Sequence, residues 1–275
     1  MSNRTGTSLL LCTRLLRASH PGPTAAVTAL VTVLASAVEL DSPTIALLAA
    51  AVLAGQLSIG WSNDLVDAAR DRRVGRRDKP VATGELPEHV VRIALAVTLP
   101  ACVALSLLGG VRSGVTHLVL GVASGWVYNL RLKRTAWSWL PYAVAFGSLP
   151  AWVTLALPQP VLPPVWMVGA GTLLGVGAHL VNALPDLADD AATDVRGLPH
   201  RLGLRAATVV AAVLLTIASV VTVVGPAGPT PAWAWVVLAC AVALALVGLG
   251  GTGRAPFRAT IAIAFIDVAM LTLRG

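Results

Sequence analysis

The sequence predicts an all-α polytopic membrane protein with about nine transmembrane helices. Of its 275 residues, 56% are hydrophobic and only 12% are charged, and the mean hydropathy is +0.78. Soluble domains carry roughly 25% charged residues, so this composition indicates a membrane protein. Apolar stretches follow one another with short breaks, which leaves no room for a separate soluble domain. Residues 1–275 are therefore expected to form one transmembrane domain.

Nine apolar stretches are bounded by Gly, Pro or charged residues and are read as spans, because a hydrocarbon core about 30 Å thick needs roughly 20 apolar residues per helix. In chain order, the breaks between them are residues 40–43, 63–90, 110–113, 131–137, 157–162, 185–203, 225–230 and 250–256. The predicted spans are residues 24–39, 44–62, 91–109, 114–130, 138–156, 163–184, 204–224, 231–249 and 257–272.

Positive charge is distributed unevenly over the predicted loops. With a cytoplasmic N-terminus, all but two of the 20 Lys and Arg residues fall on the cytoplasmic side, and only Arg112 and Arg274 fall outside. This predicts a multi-pass protein of the cell inner (plasma) membrane whose N-terminus is cytoplasmic. The same distribution accounts for the pI of about 10.3 by topology, so no nucleic-acid partner is expected.

Acidic residues gather in two clusters on the predicted cytoplasmic side. The first, 63–71, follows the second predicted helix, and the second, 182–194, follows the sixth. Each is followed by a Gly and a Leu-Pro pair, which suggests an internal pseudo-repeat of roughly 24–130 and 138–249. Because sites commonly form between such repeats, we expect the clusters to face one another across a central cavity.

The spacing of the carboxylates suits a metal site. Asp64, Asp67 and Asp71 share one helical face, and Asp186 and Asp190 follow a four-residue spacing. Carboxylates this close require cations, and hard oxygen ligands of this kind hold Mg²⁺ jointly with substrate phosphates. A solvated acidic surface is the alternative for either cluster alone. Pro185 additionally predicts a kink or break in the sixth helix.

Basic residues adjoin both clusters and match the needs of a diphosphate leaving group. We expect the amide of Asn63 to accompany them. The predicted diphosphate-binding residues are Asn63, Arg72, Lys79, Arg131, Lys133 and Arg201.

These motifs resemble those of the UbiA superfamily of intramembrane prenyltransferases. Asn63-Asp64-x-x-Asp67-x-x-x-Asp71 is similar to the first aspartate motif of the family, and 78–84 to its continuation. Residues 186–194 with 198–203 resemble the second motif, and 128–134 resembles a short Tyr-to-Lys loop after the fourth helix. The resemblance covers essentially the whole chain.

The resemblance implies a ring of helices around a central cavity that is open laterally to the lipid bilayer. It implies Mg²⁺ as cofactor, an isoprenoid diphosphate as donor and a small, possibly aromatic, molecule as acceptor. Lys79 stands where many members have Arg, and Ala183-Leu184-Pro185 stands where many have a polar residue, so the metal ligands of the second motif stay open. The implied catalytic residues are Asp64, Asp67, Asp71, Asp186, Asp190 and Tyr128, of which the five aspartates are the metal ligands.

Further polar residues lie within or beside the predicted spans. Gln56 precedes Asn63 by one heptad, and His179 precedes Asn182 by one turn, so these side chains are expected to line the substrate cavity. A packed, neutral histidine is the alternative for His179. Asp267 lies inside the ninth predicted helix, where an ionisable residue is a functional candidate by default.

Two other functions are compatible with parts of this pattern. A terpene cyclase of the same superfamily would use the same diphosphate site but let a double bond of the substrate attack the cation. A cation-coupled transporter would use the acidic clusters to bind its ion. Both clusters lie on one side of the membrane, which argues against the transporter because a transport path needs access from both faces.

Overall fold

The computed structural model describes residues 2–187, 195–252 and 255–274, with the side chains of 2–8, 186, 257, 268 and 271–274 outside the description. All regular secondary structure in the described part of the chain is helical. The helices are α1 (Ser2–Ala18), α2 (Pro21–Ala37), α3 (Ser42–Arg73), α4 (Glu88–Leu108), α5 (Val111–Thr116), α6 (Ala123–Leu130), α7 (Leu140–Thr154), α8 (Val165–Ala183), α9 (Leu198–Val224), α10 (Ala232–Gly250) and α11 (Ala255–Arg274).

Every predicted span overlaps one of these helices, so the prediction of an all-α membrane protein is confirmed. A π-helical turn at His117–Val122 joins α5 to α6, and these three segments together cover the fourth predicted span. Among the described residues, five helices are long and apolar enough to cross a membrane, namely α3, α4, α8, α9 and α10, and α2 is a shorter apolar helix. The number of nine crossings stays a prediction.

Helices that are neighbours in the chain pack against one another, and the last closes the series. From α2 to α11 each helical segment contacts its successor, and α11 returns to pack against α2. The bundle is therefore a closed ring, as expected. Its buried core is mainly Ala, Leu and Val, and many leucines and valines on the outer faces are exposed, which suits a protein surrounded by lipid.

An N-terminal helix, α1, precedes the first predicted span. It docks on α3, where the indole N–H of Trp61 donates to the carbonyl of Leu15 at 2.9 Å. Gly60 permits the close approach, because a Cβ at this position would lie only 2.4 Å from the carbonyl oxygen of Ser19. The chain then turns at His20, whose backbone is left-handed with φ 55°, and this turn places the His20 side chain beside α3.

The helix α3 extends beyond its predicted end at residue 62 and continues to Arg73. It stops in a Schellman motif: the N–H of Gly75 donates to Arg72 O at 3.3 Å and the N–H of Arg76 to Asp71 O at 3.0 Å. Gly75 adopts φ +70°, a conformation that glycine tolerates best. The motif reverses the chain directly after the last aspartate, so the following loop folds back along α3.

Close packing of α7 on α8 brings Tyr142 and Phe146 of α7 against α8. A Cβ at Gly175 would lie 2.4 Å from the carbonyl oxygen of Tyr142, so the backbones approach as only glycine allows. The helix α8 ends at Ala183 and passes into a 3₁₀ turn at Leu184–Asp186, which agrees with the break predicted at Pro185.

We predict that Gly60→Ala separates α1 from α3. The added methyl group would meet the backbone of Ser19, and overpacking of this kind costs about 1–3 kcal/mol of stability. The control is Gly169→Ala, because a Cβ at Gly169 meets no atom within 4 Å. Denaturant unfolding in detergent micelles should show the loss only for Gly60→Ala; equal stability of the two variants would contradict the close contact.

Candidate active site

Three buried carboxylates share one face of α3. The residues Asp64, Asp67 and Asp71 are 1%, 2% and 1% exposed. They lie on consecutive turns because α3 stays helical through all three positions. Isolated buried charges are costly, so each carboxylate needs compensating partners.

Lys79 and His20 provide the partners of Asp64. The Lys79 ammonium donates to Asp64 Oδ1 at 2.7 Å and lies 2.9 Å from His20 Nε2. His20 Nε2 lies 3.4 Å from the same carboxylate oxygen. The Schellman turn explains the position of Lys79, and the docking of α1 explains that of His20.

Lys133 and Arg70 provide the partners of Asp67 and Asp71. Lys133 is buried in a 3₁₀ turn at Leu132–Arg134 and donates to Asp67 Oδ1. Burial lowers the pKa of the Lys133 ammonium, whereas the adjacent Asp67 carboxylate opposes this shift. The Arg70 guanidinium lies 3.1 Å from both Asp67 Oδ2 and Asp71 Oδ1 and so bridges the two carboxylates.

Two oxygens of the cluster have no hydrogen-bond partner among the described residues, namely Asp64 Oδ2 and Asp71 Oδ2. Carboxylate oxygens are the ligands that Mg²⁺ prefers, so these free oxygens fit a divalent cation. In the part of the chain that the structure describes, no three His, Cys, Asp or Glu side chains form a group that could hold a metal ion. A complete ligand set would therefore need donors from the substrate, from water or from residues outside the description.

The loop that carries Lys133 is tied to α3 by two amides. Asn63 Nδ2 donates to Asn129 Oδ1 at 3.1 Å. Asn129 Nδ2 in turn donates to Ser62 Oγ and to the carbonyl oxygen of Ile59, both at 2.8 Å. Asn129 is buried at the end of α6, so this network holds the start of the Lys133 loop beside the carboxylates.

The second acidic cluster is described only in part. Asp190 lies outside the described residues, and Asp186 closes the 3₁₀ turn with its side chain outside the description. The segment after the cluster is anchored, since Leu198 N donates to Ser138 Oγ at 2.8 Å. Gly197 packs there against the carbonyl oxygen of Lys133, which a Cβ would approach to 2.7 Å. The approach of the two clusters to one another stays a prediction.

A polar and aromatic group lies at the end of α8. His179 is buried, and its Nε2 lies 3.0 Å from Ser138 Oγ. Its ring meets those of Tyr128 and Tyr142, with centroids 5.7 and 4.9 Å away. The Tyr142 hydroxyl has hydrogen bonds to Asn182 and Tyr128. The structure thus brings together Tyr128, His179 and Asn182, three of the residues predicted for the site.

The remaining predicted residues lie around this centre. Arg72 turns away from the carboxylates and pairs with Glu88 at 3.3 Å. Arg131 and Arg201 are exposed, and Arg201 Nε donates to the carbonyl of Arg196 at 3.3 Å. Gln56 is half-buried in α3. The roles assigned to these side chains stay predictions.

Three residues contact the cluster although sequence reasoning did not select them. Arg70 lies three positions after Asp67, a spacing that could have identified it. Asn129 lies in the 128–134 motif beside Tyr128, but no sequence pattern assigned it a role. His20 is 59 residues away from Lys79 in the chain, and no local pattern relates the two.

Comparison with known proteins agrees with this architecture. The UbiA prenyltransferase family matches residues 24–268. The chain therefore belongs to the UbiA prenyltransferase family, as the aspartate motifs predicted. Among the curated proteins compared by sequence, none is significantly similar to this chain.

Three solved structures share the fold over nearly their whole length. A UbiA homolog from Archaeoglobus fulgidus bound to GPP and Mg²⁺ has 16% identity and a TM-score of 0.69, covering 94% of this chain and 98% of its own. A UbiA homolog from Aeropyrum pernix K1 in its apo form has 18% identity and a TM-score of 0.68, covering 96% and 98%. A digeranylgeranylglyceryl phosphate synthase has 16% identity and a TM-score of 0.66, covering 96% and 98%.

We predict that Lys133→Met destabilises the protein by about 3 kcal/mol, because removing one partner of a buried ion pair leaves a buried charge uncompensated. The double variant Lys133→Met/Asp67→Asn should recover part of this loss. Arg134→Gln, at the exposed neighbouring cation, serves as the control. Denaturant titrations in micelles measure the free energies of unfolding; a double variant less stable than Lys133→Met would contradict the pairing.

Proposed function

We propose that this protein transfers a prenyl group from an isoprenoid diphosphate to a small acceptor. One observation carries the proposal: three buried carboxylates on one face of α3 are neutralised by cations from three separate positions. Membership of the UbiA prenyltransferase family supports this reaction. The Archaeoglobus homolog with bound GPP and Mg²⁺ supports the class of donor.

The cations of the cluster are suited to a diphosphate. Lys79 and Lys133 place ammonium groups beside Asp64 and Asp67, and Arg70 adds a guanidinium that can bind phosphate oxygens in a bidentate manner. Without substrate these groups are held by the carboxylates. We propose that they turn to the diphosphate when it binds, with Asn63 and Arg131 as further donors.

Asp64, Asp67 and Asp71 are the proposed Mg²⁺ ligands, and Asp186 and Asp190 are their proposed partners from the second cluster. The free oxygens of Asp64 and Asp71 support the assignment on α3. Bound Mg²⁺ supplies positive charge that stabilises the departing diphosphate. Lys79, Lys133 and Arg70 add preorganised charge where negative charge grows as the carbon–oxygen bond of the donor breaks.

The polar and aromatic group at the end of α8 suits the next step. Tyr128, Tyr142 and His179 present ring surfaces, and aromatic faces attract cations. We propose that they shelter the allylic cation from water until the acceptor attacks it and loses a proton. Aromatic acceptors are the first class to test, because the same rings would stack on them.

The placement of the protein completes the proposal. We propose one domain over residues 1–275 in the inner membrane, with the N-terminus and the loops that carry Lys79 and Lys133 in the cytoplasm. Isoprenoid diphosphates are charged at one end, so a site opening to the cytoplasm and to the lipid would accept both halves of the donor. The pseudo-repeat of 24–130 and 138–249 would place the two acidic clusters at equivalent helix ends.

Mg²⁺-dependent diphosphate release tests the proposal. The purified protein should release diphosphate from geranyl, farnesyl or geranylgeranyl diphosphate when candidate acceptors are present, and EDTA should abolish the release. Asp64→Asn and Asp186→Asn should each lower the rate by on the order of 10² or more, because each removes charge that the transition state needs. The control is Asp41→Asn, since Asp41 caps the opposite end of α3.

The products distinguish the remaining functions. A prenylated acceptor supports transfer, whereas a cyclic hydrocarbon formed without acceptor would identify a terpene cyclase. No release from any donor would contradict the proposal. Ion flux through vesicles that depends on Asp64 would then support a transporter.

The charge on Lys79 provides a second prediction. Lys79→Met should lower kcat/KM for the donor by on the order of 10², since one charge-assisted contact to the leaving group is lost. Lys79→Arg keeps the charge and should retain most of the activity. Steady-state kinetics with varied donor measures both variants; equal activity of Lys79→Met and the native chain would exclude Lys79 from the diphosphate site.

A further inference from the structure

A cavity lies between α2, α7, α8, α9 and α11, with about 590 Å³ of empty volume that includes the space at its opening. Its walls are almost entirely apolar. Leu34, Phe146, Ala170 and Leu174 are typical of its lining, and Thr222 and Asp267 bring a hydroxyl and a carboxyl group to it.

This cavity is lined by the half of α8 that lies away from Asn182. Its lining on α8 runs from Trp166 to Leu174. At 1.5 Å per residue, Leu174 and Asn182 are separated by about 12 Å along the helix axis. On α9 the cavity touches Thr222, which likewise lies at the end away from Leu198. The described lining residues include no aspartate of α3 and no cation that pairs with one, so the cavity is distinct from the proposed diphosphate site.

Asp267 is the unusual residue of this cavity. The residue is 2% exposed. Asp267 Oδ2 accepts a hydrogen bond from Ser219 Oγ at 3.2 Å. Asp267 Oδ1 has no partner among the described residues. A buried carboxyl group within a membrane helix is costly unless its oxygens are paired, and such residues commonly mark functional sites.

We propose that this cavity binds a lipid-soluble alcohol or phenol whose hydroxyl group pairs with Asp267 Oδ1. The apolar walls suit a hydrocarbon body. A hydroxyl both donates and accepts, so it satisfies Oδ1 whether or not the carboxyl carries its proton. A diphosphate would meet an acidic residue here, and the described lining residues include no basic one, so the donor headgroup is excluded on charge.

Trp166 lines the cavity and offers a direct measurement. Bromine quenches tryptophan fluorescence on contact, so the probes are 8-bromooctan-1-ol and 1-bromooctane, which differ only in the hydroxyl. Both are titrated into the protein in lipid nanodiscs at matched mole fractions in the lipid. The chain has 8 tryptophans, so the signal of Trp166 is the difference between the native chain and Trp166→Phe.

The concentration that quenches half of the Trp166 fluorescence should be about tenfold lower for the alcohol than for the bromoalkane, as one buried hydrogen bond implies. Asp267→Leu should remove this preference, whereas Asp267→Asn keeps a donor and an acceptor and should retain it. Ala170→Leu fills the cavity and should weaken both probes. Equal quenching by the two probes in the native chain, or a preference that survives Asp267→Leu, would overturn the proposal.

Two measures keep the outcomes separate. If Asp267→Leu fails to fold, Ala170→Leu still decides, because undiminished quenching in that variant places the ligand elsewhere and refutes the site. The titration is repeated in Asp64→Asn, which removes the proposed prenyl transfer and should leave the alcohol preference unchanged. Failure of this site is thereby distinguished from failure of the proposed reaction.

Discussion

Neutralisation of the three buried carboxylates on α3 is the constraint on which the rest of the site depends. Asp64, Asp67 and Asp71 cannot stay charged in a bundle of apolar helices without cations beside them. Only Arg70 comes from α3 itself, so two loops must converge on this helix to deliver Lys79 and Lys133. The ion pairs thereby link chain segments that hydrophobic packing alone would leave unrelated.

Uncharged contacts prepare this convergence. The Schellman motif turns the chain after Asp71, the Asn63–Asn129 bond holds α6 beside α3, and Ser138 connects the Lys133 loop to α8 and α9. Each contact is modest, since a typical hydrogen bond contributes about 1 kcal/mol. Together they reduce the freedom that Lys79 and Lys133 would otherwise lose on pairing, so the cations are already positioned when a ligand arrives.

Much of the fold could be predicted from sequence, because apolar length and Lys/Arg placement are local properties. The shared face of Asp64, Asp67 and Asp71 followed from helical periodicity. Periodicity did not show which arginine of residues 70–77 faces the carboxylates, because several arginines lie close together there. In the structure Arg70 faces them, whereas Arg72 pairs with Glu88. The contact of His20 with the cluster could not be predicted from sequence, because its position depends on α1. Leucines and arginines alternate too closely in α1 for it to be read as a membrane span.

The two ends of the bundle differ in charge, and this difference gives an amphiphilic ligand a direction. Lysine and arginine surround the aspartates at one end, whereas the cavity of Asp267 contains this buried acid and, among the described residues, no basic lining residue. An anionic headgroup is stabilised at the first end and repelled at the second. A chain with a neutral hydroxyl has the opposite preference, because it gains a hydrogen bond to Asp267 without losing Coulomb energy. Under the two proposals, the isoprenoid donor and the neutral alcohol would therefore lie in opposite orientations in the bundle.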